Sequence, residues 1–349
     1  MVPSVKVKSN KKSQLRMLNG GLVAQLDAIK SDDFSQEVAA QRLKRGLWYS
    51  LVFVLISACF LVPLQNGNLS FMFSLMMWVT LATGINFIAG FTGYMPFGYV
   101  AFYGIGTYAT AILVKVLGVS EYLAVPAAGL SGILLALLFA PTLRLNGIFF
   151  AIVSLSLAVV CQRLMSLLPE EITGGSHGLN LGVATDRTHG YYAMLIIMFV
   201  ALMSASWLAQ SRLGKSLKAV RDDPDAADAM GVHVSRVRLY AWCMSAFFAA
   251  LAGGAQAWFT GALDPITAFD VLITAKTVIY AMAGGLGTIF GPVLGTVILV
   301  WVDEIVWQQF PVLNNFLLGL IITLLILFMP RGLIGSLMQR FPRLRKFIM

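Results

Sequence analysis

Side chains equipped for chemistry are few in this sequence, and most stand alone. Histidine occurs only at His177, His189 and His233, and cysteine only at Cys59, Cys161 and Cys243. None of these has metal-ligand or disulfide spacing, so the cysteines read as core residues and no metal site is expected. No phosphate loop ending in Gly-Lys-Ser/Thr occurs, and neither does a nucleophile elbow, a zinc-protease motif or a pair of acids placed for hydrolysis. No catalytic residue is therefore expected, and any ATP must be bound elsewhere. Charge inside the apolar runs is sparse: Arg163 and Lys276 are the candidates, and the Asp303-Glu304 pair lies near an outer boundary. A buried charge is a functional hypothesis by default, but all four lie within snorkelling reach of one membrane surface. A proton-coupled carrier needs acids or histidines nearer mid-membrane, and none is found.

One stretch is dense in chemistry. Ser211 to Arg238 carries Arg212, Lys215, Lys218, Arg221, Arg236 and Arg238 together with Asp222, Asp223, Asp225 and Asp228. Asp223 is placed as an N-cap and Pro224 as the first helical residue. Asp225-Ala226-Ala227-Asp228-Ala229-Met230 then reads as a short helix with an acid in its first turn, and Gly231 closes it in the left-handed conformation. A small alanine-surfaced helix suits the groove of another protein. It is equally a plain surface helix on residue chemistry alone.

The elements that would hold this stretch are membrane spans. The 349 residues are 58% hydrophobic and 12% charged, with mean hydropathy +0.80. A soluble chain of this size has no interior large enough for that much apolar surface. Apolar runs of about 20 residues fall at 47–64, 69–90, 96–117, 122–142, 147–168, 191–210, 238–260, 271–288, 291–309 and 313–329. The expected fold is an all-α polytopic membrane protein of about ten helices. In this arrangement every Lys and Arg except Lys115, Arg163, Arg187 and Lys276 falls on one side, which includes Arg144 and the 211–238 loop. That side is therefore expected to be cytoplasmic. Glu121, Glu170, Glu171, Asp186, Asp264 and Asp270 fall on the other. The net charge of +9 is thus explained by topology, and nucleic acid is not an expected partner. Residues 1–46 form a basic N-terminal tail and 331–349 a basic C-terminal tail, both expected in the cytoplasm, flanking a transmembrane domain over 47–330.

Glycine interrupts the spans at two places. Gly90, Gly93, Pro96 and Gly98, followed by Gly104 and Gly106, break the second and third; Gly284, Gly285 and Gly287 break the eighth and ninth. Broken backbone at membrane depth is tolerated only where protein or a water-filled cavity covers it, as in a transport pathway. Gly287, Gly291 and Gly295, spaced by four, read as a helix-packing face, and Gly253, Ala257 and Gly261 as a similar one. The longest loop opposite the basic side carries Thr173, Gly174, Gly175 and Gly178. It reads either as a contact for an external partner or gate, or as a turn over a span end.

Six ordered motifs add up to a resemblance. Asp225-Ala226-Ala227-x-x-x-Gly231 resembles the E-A-A-x-x-x-G loop of bacterial ABC importer permeases, with Asp for Glu, and Gly214, Arg221 and Met230 extend the likeness. Gly90-x-x-Gly93-x-x-x-Phe97-Gly98 with Gly104-Ile105-Gly106-x-Tyr108, Asn146-Gly147-Ile148-Phe149-Phe150-Ala151-Ile152 and Thr173-Gly174-Gly175-x-x-Gly178-Leu179 follow the branched-chain amino acid permease family, which also includes urea and amide permeases. So do Gly284-Gly285-x-Gly287-Thr288-x-x-Gly291-Pro292-x-x-Gly295 and Pro330-Arg331-Gly332-Leu333-x-Gly335. Tyr94-Met95-Pro96, Leu145-Asn146 and Ser154 depart from the usual residues. The resemblance implies a permease subunit in a bacterial inner membrane, paired with a second and homologous permease. A periplasmic binding protein delivers the solute, and two ABC ATPases bind ATP and Mg and move the 224–230 helix. A gradient-driven carrier or channel working alone is the alternative.

Overall fold

In the computed structural model the described residues are 68–145, 147–182 and 187–309, with single positions at 46, 50, 57, 316, 319, 320 and 323. The helices below all belong to one compact unit, Val52–Arg340. The spans expected at 47–64 and 313–329 and both tails lie outside the described residues.

Each expected span between these limits is a helix. Asn68 caps α1 (Leu69–Ile85) by accepting the Phe71 amide at 3.2 Å, and the helix continues as one wider π turn over Asn86–Gly90. There follow α2 (Val100–Lys115), α3 (Glu121–Leu138) and α4 (Ile148–Leu167). The short α5 (Glu170–Thr173) precedes a two-residue strand β1 (Leu179–Asn180) and α6 (Arg187–Gln210). Two short helices, α7 (Arg212–Asp222) and α8 (Pro224–Ala229), lead into α9 (Val234–Thr260). Strand β2 (Ala262–Leu263), α10 (Pro265–Ala268), α11 (Val271–Gly284) and α12 (Phe290–Gln309) complete the described order. Among the described residues six helical runs can cross a membrane by length and composition, and α2 is a shorter apolar one. Helix α2 starts at residue 100 rather than 96. Pro96 lacks an amide proton and biases its predecessor toward extended backbone, so 93–96 stay irregular.

The core is built around α9, which packs against α1, α2, α3 and α6. Apolar side chains gain nothing from leaving lipid for each other, so association rests on close contact, which small residues permit. Ala246, Ala249, Ala250, Ala252, Gly253 and Ala257 are all buried on α9. A Cβ at Gly106 would overlap the Ala250 backbone, and one at Gly253 the Tyr103 carbonyl. Trp242 donates its indole N–H to the Ala136 carbonyl at 3.1 Å, tying α9 to α3. In contrast α3 and α4 expose long apolar faces, including Leu130, Leu134, Phe149, Ile152 and Leu164. These are surfaces for hydrocarbon or another membrane subunit.

The four-spaced glycines divide. Gly291 and Gly295 lie on α12 and press on Gly284, Gly285 and Tyr280 of α11 and its exit. Gly287 is not on that face, because it precedes the helix with φ +82°. Gly261 likewise lies beyond α9, closing it as a left-handed C-cap. Gly106→Leu and Gly295→Leu are each expected to cost about 1–3 kcal/mol or more by overpacking. Leu134→Ala on the exposed face of α3 should cost much less. Thermal unfolding in detergent measures the difference.

Candidate functional site

The Ser211–Arg238 loop is two capped helices. Ser211 accepts the Gly214 amide at 3.0 Å and starts α7. Gly214 lets the chain turn there, since a Cβ would meet the Leu208 carbonyl. Leu217 and Val220 fix α7 to the protein by burying one face. Asp223 caps α8, its Oδ1 accepting the amides of Asp225 at 2.9 Å and Ala226 at 3.0 Å. At the other end Gly231 has φ +86°. Its amide donates to the Asp228 carbonyl, and the Val232 amide to that of Ala227. These two bonds form a Schellman motif, so both ends of a six-residue helix are satisfied locally. Asp225, Ala226, Asp228 and Ala229 face outward, as does Met230 at 73% exposure. Ala227 does not: it is 1% exposed and holds α8 to its own subunit.

The two glycine breaks meet beside this loop. Asn86, buried in the π turn, accepts the Gly287 amide at 2.8 Å on Oδ1 and donates from Nδ2 to the Thr288 carbonyl at 2.9 Å. Thr288 in turn accepts the Gly291 amide at 2.9 Å, which starts α12. Arg221, in the last turn of α7, donates from Nη1 to the Gly90 carbonyl at 2.5 Å. Glycine is required at both breaks. A Cβ at Gly90 would overlap Asn86 and the Gly287 amide, and one at Gly287 would overlap the Arg221 guanidinium. Lys218 lies 6.0 Å from the centre of the Phe91 ring, and the Arg238 guanidinium 4.2 Å from that of Tyr94. Loop and break together line a cleft of about 760 Å³, whose walls include Thr92, Tyr94, Arg221, Asp225, Asp228 and Arg236.

The other sequence-derived residues have packing roles. The Gly98 amide donates to Ser154 Oγ at 3.3 Å, where a Cβ would overlap the Ser154 carbonyl. Pro96 and Gly93 are in the irregular segment, but Gly104 and Gly106 lie inside α2 and break nothing: they seat the Phe269 ring and Ala250. Gly284 closes α11 under the Gly291 carbonyl, and Gly285 turns the chain at φ +113°. The Thr173–Gly178 segment gathers at the opposite end of the helices. Thr173 is buried and accepts the Gly175 amide at 3.3 Å; Gly174 and Gly178 have φ +73° and +79°. The segment leads into β1, which pairs antiparallel with β2 at Leu179 and Leu263. These glycines shape a turn that closes on the 261–270 connection. Nearby, burial raises the Asp264 pKa, but its hydrogen bonds from Thr267 and the Ile266 amide prevail and hold it below the usual carboxylate value.

Sequence reasoning missed Asn86 and one ion pair. A lone Asn in an apolar span was the available signal, since its amide demands partners in lipid. Lys276 and Asp303 were singled out separately, yet they pair at 2.9 Å between α11 and α12, and the Tyr280 hydroxyl donates to the same Asp303 oxygen at 3.1 Å.

Fold and site define a multi-pass helical membrane protein of the permease class, with its broken helices joined beneath a capped loop. Residues 68–329 match the family described as branched-chain amino acid transport system / permease component, and the chain belongs to that family. It is similar to the high-affinity branched-chain amino acid transport system permease protein LivM of Salmonella typhimurium, 27% identical over 321 residues covering 82% of this chain and 74% of the relative. LivM of Escherichia coli is 28% identical over 294 residues, 74% of this chain and 68% of the relative. LivH of Salmonella typhimurium, another permease protein of a system so named, is 23% identical over 289 residues, 74% of this chain and 91% of the relative. No solved structure matches.

Two outcomes are expected. Asn86→Ala leaves the part-buried Gly287 amide and Thr288 carbonyl without their partner and should lower stability by about 1–3 kcal/mol, measured by thermal unfolding in detergent. Lys276→Met alone should destabilise more than Lys276→Met with Asp303→Leu, because the single change leaves an unpaired carboxylate; the same unfolding assay compares them.

Proposed function

We propose that this chain is a transmembrane permease subunit of an ATP-driven importer in a bacterial inner membrane. Its solutes are branched-chain amino acids or related small polar molecules, delivered by a periplasmic binding protein. The observation that carries this reading is α8: a helix capped at both ends, outward-facing at Asp225, Ala226, Ala229 and Met230, and joined through α7 to both helix breaks. Two further facts support it. The relatives include two permease proteins, LivM and LivH, named for the same kind of system, which favours a second, homologous permease as partner. In the ten-span reading of the sequence the basic residues fall on the side of the 211–238 loop, which favours a cytoplasmic loop and cytoplasmic termini.

ATP and Mg then belong to ABC ATPase subunits, and this chain carries no cofactor of its own. Closure of the ATPases on ATP displaces α8. The displacement biases the membrane helices between outward and inward openings, as coupling between two sites requires a shared two-state element. Specificity rests largely with the binding protein.

Because Ala227 is buried, a docking test belongs at the outward positions. Ala226→Trp and Met230→Asp should leave membrane levels of the chain unchanged, remove the ATPase subunits from the purified complex and lower leucine, isoleucine or valine uptake roughly tenfold or more. Undiminished uptake by the chain reconstituted without any ATPase overturns the importer reading in favour of a carrier working alone.

A further inference from the structure

We propose that Arg221 is a positioning residue that transmits movement of α8 to both helix breaks at once; this rests on the importer reading. Three features converge on it. First, Arg221 sits in the last turn of α7, and only Asp222 separates it from Asp223, the cap of α8. A single extended residue, Asp223, joins the two helices, so a shift of α8 reaches Arg221 through one short link.

Second, the guanidinium ends on an orphan group. Helix carbonyls in a last turn have no intrahelical donor. The chain leaves the helix after Thr92: the Gly93 amide goes to Ala89 and the Tyr94 amide to Thr92 Oγ1. The Gly90 carbonyl accepts from Arg221 instead. A cation at a helix C-terminus also opposes the macrodipole. Among the described residues no carboxylate pairs with this guanidinium, although Asp222, Asp223, Asp225 and Asp228 are close in sequence. Its side-chain hydrogen bond goes to backbone, while the residue stays exposed beside the cleft.

Third, the same guanidinium fills the space beside Gly287 that a Cβ would occupy. Gly287 is held by Asn86 and opens the turn into α12. One cation therefore touches the end of the α1 run and the α11–α12 turn together. Lys218 over Phe91 and Arg238 over Tyr94 also reach the first break, but through ring faces, which fix direction less well than a hydrogen bond to a carbonyl. This placement differs from a docking contact, in which the guanidinium would point at the ATPase.

The test uses the whole transporter, with its ATPases and binding protein, in proteoliposomes. Leucine uptake and ATP hydrolysis are read together, and retained ATPase subunits are counted after purification. Arg221→Met keeps the stem and removes the donors. It should retain the ATPases and ATP hydrolysis while uptake per ATP falls roughly tenfold. Arg221→Lys, which restores one donor to Gly90, should recover part of the ratio. Gly287→Ala, which displaces the guanidinium from the other side, should repeat the loss. Wild-type uptake per ATP in both Arg221→Met and Gly287→Ala overturns the proposal. Loss of ATPase subunits from Arg221→Met overturns it in favour of docking. Absence of ATP-dependent uptake in the unaltered transporter would instead reject the importer reading beneath it.

Discussion

A helix broken among apolar neighbours must have its freed amides and carbonyls answered by protein, and this requirement organises the molecule. A buried group left unanswered costs about 1–3 kcal/mol. Here one carboxamide answers two groups: Asn86 takes the Gly287 amide and gives to the Thr288 carbonyl. Arg221 answers a third, the Gly90 carbonyl. The two breaks, far apart in sequence, therefore satisfy each other through side chains and are not independently stable features. Glycine at 90 and 287 follows from this, since both positions are occupied by the groups that do the answering.

Around that joint the packing obeys a different rule. Helix α9 brings small residues against α2 and α3, so backbones approach closely without side chains between them. The close contacts at Gly106, Gly132 and Gly253 leave little freedom for sliding along α9. By comparison α3 and α4 turn large apolar side chains outward, where exact fit within the subunit is not demanded. The rigid part lies between α2, α3 and α9, and the α7–α8 loop sits at one end of it through Leu217, Val220 and Ala227.

Much of this was legible in the chain. Span positions followed from apolar run length, and the caps of α8 from Asp223, Pro224 and Gly231, because capping is local chemistry that sequence records directly. What was not legible depends on contacts distant in sequence. Gly104 and Gly106 look like breakers beside Gly90 and Gly93, yet they lie in helix because their neighbours across the contact need the room. Gly287 fits a four-residue spacing with Gly291 and Gly295, but its positive φ sets it outside the helix. Ala226 and Ala227 are the same residue type side by side, and only the packing separates an outward position from a buried one. The partner of Arg221 is a carbonyl, a group that every residue possesses and no sequence advertises.

The β1–β2 pairing far from the loop has a mechanical meaning. Leu179 and Asn180 are clasped to Ala262 and Leu263, and the Leu181 amide reaches the Gly261 carbonyl at 2.7 Å. The stretch leaving α5 is thereby fastened to the stretch leaving α9. Two connections far apart in sequence are thus held in register by backbone hydrogen bonds alone, so side-chain changes along 179–181 and 262–263 leave the clasp itself in place.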